Sequence, residues 1–145
     1  MDMTLTDEQQ AIDETVRRIC ANFSDDYWTE CEAELRFPEA YYQAMAEAGF
    51  LGITMPAELG GSGLGVTEAA VMMHAASASG GGYAAASAIH INLFGPHSIV
   101  VHGTPEQKKR FLTPLIEGRE KACFGVTEPD AGLDTTSIKT FATRV

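Results

Sequence analysis

The sequence lacks the patterns that mark a simple metal or nucleophile site. Its three cysteines, Cys20, Cys31 and Cys123, are odd in number and unevenly spaced, so they form neither a CxxC pair nor a disulfide framework. No GxSxG elbow, HExxH helix or lysine-containing phosphate loop occurs. The histidines at positions 74, 90, 97 and 102 make no tight cluster with carboxylates. We therefore expect no metal site and assign no catalytic residue.

Marks of secretion and of membrane insertion are also missing. Residues 1–5 show no basic region followed by an apolar core, so they do not resemble a secretory signal. No apolar run approaches the ~20 residues that a bilayer-spanning helix needs. Taken with the unpaired cysteines, these absences favour a reducing compartment. We expect a cytoplasmic protein without a membrane span.

Basic residues are scarce in the first part of the chain. Up to Gly60 the sequence has 13 acidic and 3 basic residues, and after it 7 of each, so the first part accounts for the whole net charge of −10. This balance argues against a nucleic-acid or anionic-membrane surface there. We interpret the acidic part as a solubilising surface.

Helical periodicity covers most of the chain. Thr6 and Gln9 have the spacing of a capping box, and a helix is predicted over residues 7–22 with an apolar stripe at Ile12, Val16, Ile19 and Phe23. Residues 24–36 are acidic and predicted to be irregular, with Trp28 as their anchor in the core. Further helices are predicted over residues 38–48, 66–79, 83–93, 98–102 and 105–113, the last stopped by Pro114.

The predicted helix over residues 83–93 is apolar on nearly every side, which is typical of a helix in the middle of a bundle. Its small residues permit close helix packing or leave room for an apolar ligand. His90 on this helix is either a satisfied core histidine or a functional residue, and the pattern leaves both open.

Residues 122–134 are the one segment whose order of residue types asks for a chemical explanation. The apolar run at 122–126 predicts a strand, which Pro129 ends because proline cannot donate to a ladder. Gly132 permits a positive φ or close backbone approach, and the Asp134 side chain can bond nearby amides. Such a strand and turn can cradle a planar, phosphate-bearing ligand, or it can be an ordinary strand and turn.

A second strand is predicted over residues 138–145. The sequence therefore predicts a mainly α fold, with a helical bundle over residues 1–118 and the first strands of a β domain over residues 119–145. Because two strands are marginal by themselves, we expect this chain to be the N-terminal part of a longer protein.

Three ordered segments resemble one family. Residues 124–134, Phe-Gly-Val-Thr-Glu-Pro-Asp-Ala-Gly-Leu-Asp, resemble the signature of the acyl-CoA dehydrogenases, an aromatic residue followed by x-V-T-E-P-x-A-G-S-D. Residues 55–63 are similar to the Pro-Glu-Gly-Gly loop of that family, and residues 103–112 to its G-x-x-x-Q-K segment. The resemblance implies the N-terminal helical domain of an acyl-CoA dehydrogenase, followed by the start of its middle β domain.

The resemblance also implies chemistry. Members of the family bind FAD and remove the α and β hydrogens of an acyl-CoA thioester. By analogy, the predicted cofactor-binding residues are those next to the flavin ring or its pyrophosphate: Phe124, Val126, Thr127, Gly132 and Leu133. Leu133 is also a predicted substrate contact, together with Ser87 on the helix that resembles the one lining the acyl pocket.

Two departures from the signature concern the cofactor site. Leu133 replaces the usual serine, and Phe124 lacks the hydroxyl of the tyrosine that is common there. The catalytic glutamate of the family belongs to a C-terminal helical domain, so the resemblance implies that the isolated chain is inactive. It further implies an electron-transfer acceptor protein and a homotetramer or dimer in the full-length form. An acyl-CoA oxidase or flavin monooxygenase of the same fold, and a non-catalytic helical binding or assembly module, remain open as functions.

Overall fold

The computed structural model describes residues 4–144. Within this range the chain forms seven α-helices: α1 (Asp7–Cys20), α2 (Asp25–Ala33), α3 (Glu39–Glu47), α4 (Val66–Ser77), α5 (Gly82–Phe94), α6 (His97–His102) and α7 (Pro105–Ile116). Three short 3₁₀ helices lie at Phe50–Gly52, Ala57–Leu59 and Thr135–Ser137. The mainly α architecture predicted from the sequence is confirmed.

The main core lies between α1, α3, α4 and α5. The predicted stripe of α1 places Ile12 and Val16 in this core, where they share one buried cluster with Met45 of α3, Met72 of α4 and Ile89 of α5. Apolar burial of this kind is the dominant favourable term in folding. A smaller cluster of Met55, Leu112 and Ile116 fixes α7 to the loop that precedes α4.

Polar contacts join the ends of α1 and α4. The Thr6–Gln9 capping box is confirmed, since the Gln9 backbone N–H donates to Thr6 Oγ1 at 3.2 Å and the Thr6 N–H donates to Gln9 Oε1 at 3.1 Å. The same Gln9 donates through Nε2 to Glu68 Oε1 at 2.9 Å, and Glu68 Oε2 accepts the Gly65 N–H at 3.0 Å. One capping residue therefore also fixes α1 against the start of α4.

The prediction that residues 24–36 are irregular is wrong for residues 25–33, which form α2. Ser24 caps this helix by accepting the Tyr27 N–H. Two aspartates in the first turn interact favourably with the positive N-terminal end of the helix dipole. Only Trp28 and Cys31 are buried, so the apolar face is too narrow to show in the sequence pattern. Trp28 anchors the segment as predicted, with its ring centroid 5.2 Å from that of Tyr41.

Pro114 does not stop α7, which continues to Ile116. A proline inside a helix removes one hydrogen bond and crowds the preceding turn. Here Pro114 lies close to the end of the helix, and Leu112, Leu115 and Ile116 around it are buried. Packing of this apolar face offsets the missing hydrogen bond, which is why the sequence rule fails. The second capping box, between Thr104 and Gln107, is present as predicted.

Neither predicted strand is found within residues 4–144. The sole β-type pairing in this range is an isolated antiparallel bridge between Glu128 and Ala131. A strand needs a neighbour for its backbone N–H and C=O groups, and the described part of the chain supplies none to residues 122–126. The start of a β domain is thus not confirmed, the division after residue 118 stays a prediction, and Val145 lies outside the described residues.

By length and composition, the segment Gly82–His102 could cross a membrane, contrary to the expectation that no run approaches that length. The segment comprises α5 and α6 with Gly95 and Pro96 between them, and 28% of its apolar window is buried. Core helices of soluble proteins can be equally long and apolar, so length and composition are weak evidence for a membrane span.

Candidate functional site

The predicted site begins on the outer face of α5. Ala85, Ile89 and Asn92 point into the core, while Ser87 and His90 lie on the exposed side. His90 is therefore not the core histidine that a helix buried all round would hold. The amphipathic arrangement is hidden in the sequence because alanines occupy both faces of the helix.

Phe124 lies beside the C-terminal end of α5. Its ring packs edge-on against Phe94, with centroids 4.9 Å apart and planes at 78°. Phe94 in turn contacts His90, with ring centroids 4.6 Å apart. Phe124 nevertheless remains 54% exposed, so much of its ring is open. The fold thus brings one predicted cofactor residue to the helix that carries the predicted substrate residue.

The Thr-Glu-Pro part of the signature forms a closed turn. The Glu128 N–H donates to the Ala131 carbonyl at 2.9 Å, and the Ala131 N–H donates to the Glu128 carbonyl at 3.2 Å. The Glu128 carboxylate accepts the backbone N–H of Lys139 at 2.9 Å and that of Thr140 at 2.7 Å, and it also accepts the Thr140 hydroxyl. Glu128 therefore fixes residues 139–140 against the turn, a role that the sequence analysis missed.

Hydrogen bonds to the two signature carboxylates stabilise their charged forms. The Lys139 N–H, followed by the Thr140 donors, lowers the pKa of Glu128. The Ser137 hydroxyl, followed by the Thr136 donors, lowers the pKa of Asp134. Asp134 accepts the Thr136 N–H at 3.2 Å and the Ser137 hydroxyl at 2.6 Å, as expected for an aspartate that bonds nearby amides. Both carboxylates hold the loop in shape.

Three of the four remaining predicted cofactor residues are exposed. Leu133 is fully exposed, at 105% of its reference surface, and Thr127 and Gly132 are exposed as well. Val126 is partly buried. Gly132 does not adopt a positive φ. The prediction that this position uses glycine for its backbone conformation is therefore wrong, and close backbone approach is the remaining reason. A Cβ atom placed on Gly132 would meet no atom within 4 Å.

A buried polar network fixes the position of the segment around Glu120, which leads into the signature. Asn92, 3% exposed, donates through Nδ2 to the Tyr42 hydroxyl at 3.2 Å and to the Leu115 carbonyl at 3.4 Å. The Tyr42 hydroxyl donates to the Glu120 carbonyl at 3.2 Å. Gly118 has a φ of 70°, which favours glycine, and its position fixes where the chain leaves α7.

We expect Asn92→Ala to lower the free energy of unfolding by about 1–3 kcal/mol, because it removes the two buried hydrogen bonds from Asn92 to the Tyr42 hydroxyl and the Leu115 carbonyl. Chemical denaturation monitored by circular dichroism measures this change. Asn22→Ala is the matched control, since Asn22 donates to the Arg18 carbonyl at an exposed position. Equal losses for the two variants would show that Asn92 has no special role.

Other candidate chemistry is absent from the part of the chain that the structure covers. Residues 4–144 contain no group of three His, Cys, Asp or Glu side chains arranged to hold a metal ion. Cys20 and Cys31 are buried free thiols, and Cys123 is exposed. Burial raises the pKa of the Cys20 thiol, which makes it a poor nucleophile near neutral pH.

The helical order of α1–α7 defines an N-terminal domain of a recognised type. The family model described as acyl-CoA dehydrogenase, N-terminal domain, matches residues 6–119. The chain belongs to the acyl-CoA dehydrogenase family, so the family resemblance is confirmed, and the match includes two of the three segments, 55–63 and 103–112.

Curated relatives agree with this assignment. The chain is 38% identical to acryloyl-CoA reductase (NADH) of Anaerotignum propionicum over 98% of its length, and 36% identical to benzylmalonyl-CoA dehydrogenase of Aromatoleum aromaticum over 100%. It is 32% identical to the short-chain specific acyl-CoA dehydrogenase of Clostridium acetobutylicum over 98%. It spans only 36%, 38% and 37% of these three proteins.

Two solved structures share the fold. A chain from work on the electron transferring flavoprotein of Acidaminococcus fermentans matches with a TM-score of 0.81 and 31% identity, over 94% of this chain and 36% of that one. A chain of the ChsE4–ChsE5 complex from Mycobacterium tuberculosis matches with a TM-score of 0.80 and 23% identity, over 100% and 36% of the two chains. At that identity the second match shows the fold alone.

Proposed function

We propose that this chain is the N-terminal part of an FAD-dependent acyl-CoA dehydrogenase, which removes the α and β hydrogens of an acyl-CoA thioester. Family membership supports the reaction class, and relatives of similar sequence are named for acryloyl-CoA, benzylmalonyl-CoA and short-chain acyl-CoA chemistry. The observation that carries the proposal is the half-open Phe124 ring, held against α5 beside an exposed signature turn.

The residues around the turn fit a planar cofactor. One edge of the site is the exposed Phe124 ring, and beyond it lie Val126, Thr127, Gly132 and Leu133. A Cβ atom on Gly125 or Gly132 would meet nothing within 4 Å, so packing within this chain does not require glycine at either position. A ligand that approaches the backbone closely gives such glycines a reason. Bound flavin would supply the hydride-accepting chemistry.

The fully exposed Leu133 supports contact with a further surface. Burying a leucine side chain contributes roughly 1.5–3 kcal/mol, which the described structure does not gain. In the proposed site Leu133 packs on cofactor or substrate, and Ser87 offers its hydroxyl from α5. We assign the removal of the α proton to neither residue but to the glutamate that the family resemblance implies in a C-terminal helical domain.

The partners follow from the same proposal. An electron-transfer protein accepts the electrons, and the full-length form assembles as a homotetramer or dimer in the cytoplasm. One solved structure that is 31% identical to this chain comes from work on an electron transferring flavoprotein, which supports such a partner.

The direction of the reaction has a second candidate. The relative that is 38% identical is named acryloyl-CoA reductase (NADH), and a reductase runs between the same saturated and unsaturated thioesters in the opposite sense. An acyl-CoA oxidase or flavin monooxygenase of the same fold would keep the flavin and change the fate of its electrons. A non-catalytic assembly module would bind no flavin.

An absorption spectrum combined with an intact mass tests the proposal. We expect the full-length protein, purified from its source cell, to show flavin bands in its visible spectrum. This protein carries the present sequence at its N-terminus. The 145-residue chain alone, given FAD and an acyl-CoA, is expected to reduce no artificial electron acceptor. A folded native polypeptide that takes up no flavin would contradict the proposal and favour an assembly module.

A further inference from the structure

The chain leaves α7 through a short linker, residues 118–121, that is held on two sides. From α3, Gln43 Nε2 and the Tyr42 hydroxyl donate to two linker carbonyls, at 2.8 and 3.2 Å. From α7, the Pro114 carbonyl accepts two linker N–H groups, at 2.9 and 3.1 Å. Because all four hydrogen bonds end on backbone atoms of the linker, they fix its path between α3 and α7.

Lys121, the last residue of the linker, makes a contact of a different kind with α3. Its Nζ lies 2.8 Å from a carboxylate oxygen of Glu39, and 4.9 and 5.3 Å from the ring centroids of Phe37 and Tyr42. An ammonium group over aromatic rings is attracted by their electron-rich faces, and the carboxylate adds an ion pair. The hydrogen bond from Lys121 lowers the pKa of Glu39, so both partners are charged at neutral pH. These contacts hold the Lys121 side chain against the start of α3.

The segment that follows the linker has few fixed points of its own. Within residues 4–144, residues 122–127 make no hydrogen bond through backbone or side chain. Residues 120–123 also line a depression of about 200 Å³, so they do not pack closely against the helix ends behind them. The other lining residues of this depression are Gly95, Pro96, Ile99, Phe111 and Leu115. The position of residues 122–127 therefore depends on what fixes the chain on either side of them.

Lys121 is the fixed point on the N-terminal side of this segment. It lies three residues before Phe124, the first of the predicted cofactor residues. Three residues of extended chain reach ~10 Å at most, so a fixed Lys121 limits where the Phe124 ring can lie. On the other side, the hydrogen-bonded turn at residues 128–131 fixes the chain. The stretch that carries Phe124, Val126 and Thr127 thus runs between these two points.

We propose that Lys121 is a positioning residue for the flavin, which acts by fixing the chain against α3 just before the cofactor-binding segment. This inference rests on the proposed FAD-dependent function and adds a residue that contacts α3 rather than the cofactor. Without the Lys121 contacts, a smaller fraction of molecules holds the segment in the conformation that binds flavin. The apparent dissociation constant then rises by the inverse of that fraction.

The test measures FAD affinity in the full-length protein that carries this sequence, after removal of the bound flavin. Lys121→Met keeps an unbranched side chain and removes the charge. We expect it to raise the dissociation constant of FAD by about threefold to tenfold, as for loss of one exposed ion pair and two cation–π contacts. Lys121→Arg can make both kinds of contact and should restore most of the affinity.

Glu39→Gln shows whether Lys121 acts through α3. This substitution should also weaken FAD binding, although Glu39 is not among the predicted cofactor residues. Combined with Lys121→Met, it should weaken binding no further than Lys121→Met alone, because the two residues share one contact. The side chains of Lys121 and Glu39 are 41% and 54% exposed. The unfolding midpoint of the flavin-free protein should therefore change by about 2–4 °C at most.

Arg119→Met is the matched control. Arg119 is another exposed linker cation, but it donates to Glu117 at 2.6 Å, only two residues away, and not to α3. It should leave the FAD affinity unchanged. A protein that binds FAD equally well in Lys121→Met, or loses affinity equally in Arg119→Met, would overturn the positioning role and leave the flavoenzyme function standing. A wild-type full-length protein that takes up no FAD would overturn both proposals.

Discussion

Replacing Tyr41 by alanine is expected to lower the free energy of unfolding by about 3–5 kcal/mol, the range for loss of a buried aromatic ring. Tyr41 is fully buried, and its ring lies against Phe23 at 5.6 Å and Trp28 at 5.2 Å between centroids. Since small domains are stable by only about 5–15 kcal/mol in total, this one change removes a large share of the stability. Urea denaturation followed by Trp28 fluorescence measures it.

Replacing Tyr41 by phenylalanine is expected to leave the free energy of unfolding equal or to raise it. The Tyr41 hydroxyl is buried and has no N or O hydrogen-bond partner among the described residues, with only the weakly accepting Cys20 thiol beside it. An unpartnered buried hydroxyl costs roughly 1–3 kcal/mol in mutational series. Tyr41→Phe keeps the ring and removes that cost, so the stability stays equal or rises.

The pH dependence of stability provides an independent check. Burial raises the pKa of Tyr41 above its ordinary value near 10. Because the unfolded chain then loses the proton more readily than the folded one, the contribution to stability is complete below about pH 10 and declines as the pH rises above it. We expect the wild type to lose stability at alkaline pH more steeply than Tyr41→Phe.

Tyr83→Phe is the matched control, because the Tyr83 side chain is exposed. This substitution should leave the stability unchanged at neutral pH and alter the alkaline slope little. If Tyr41→Phe proves less stable than the wild type by a kcal/mol or more, then the hydroxyl has a partner, and the Cys20 thiol is the group to examine by Cys20→Ala.

Local sequence signals identified most helices correctly. The Thr6 and Thr104 capping boxes fixed two helix starts, and the recurrence of Ile12 and Val16 identified the buried face of α1. These features depend on neighbours within one or two turns, which a sequence displays directly. The helix α2 escaped detection because its stability comes from Trp28 packing against Phe23 and Tyr41, contacts that no local pattern reveals.

The candidate site shows the same division. A short-range property, the ability of Asp134 to bond amides, could be read from the sequence, and its contacts with Thr136 and Ser137 lie within three residues. The role of Glu128 could not, since its partners at 139 and 140 follow eleven and twelve residues later. The network from Asn92 to Tyr42 spans fifty residues, and no local pattern in the sequence marks it.

Replacing Glu128 by alanine is expected to release residues 139–140 from the signature turn. Its carboxylate is the shared acceptor for the Lys139 N–H, the Thr140 N–H and the Thr140 hydroxyl, and charge-assisted hydrogen bonds of this kind are the stronger ones. In the isolated chain, backbone amide exchange at Lys139 and Thr140 should accelerate. The proposed flavin site includes this turn, so a displacement of about 1 Å there would cost roughly a hundredfold in activity of the flavoenzyme.

Lowering the pH should have the same effect on the loop as Glu128→Ala. The lowered pKa of Glu128 means that the charged form is favoured in the folded loop, so the contribution to stability is present above the ordinary value near 4.3 and disappears as the pH falls below it. The amides of Lys139 and Thr140 should therefore lose protection on acidification in the wild type, and show no further loss in Glu128→Ala.

Asp130→Asn is the matched control for Glu128. Asp130 is an exposed carboxylate on the same turn, and its contact with Lys139 Nζ is a 4.0 Å ion pair of the kind that contributes little. Asp130→Asn should leave amide exchange and the activity of the flavoenzyme unchanged. If Glu128→Ala behaves like Asp130→Asn in both measurements, then the turn is held by its own Glu128–Ala131 backbone pair, and the glutamate of the signature acts on a surface outside this chain.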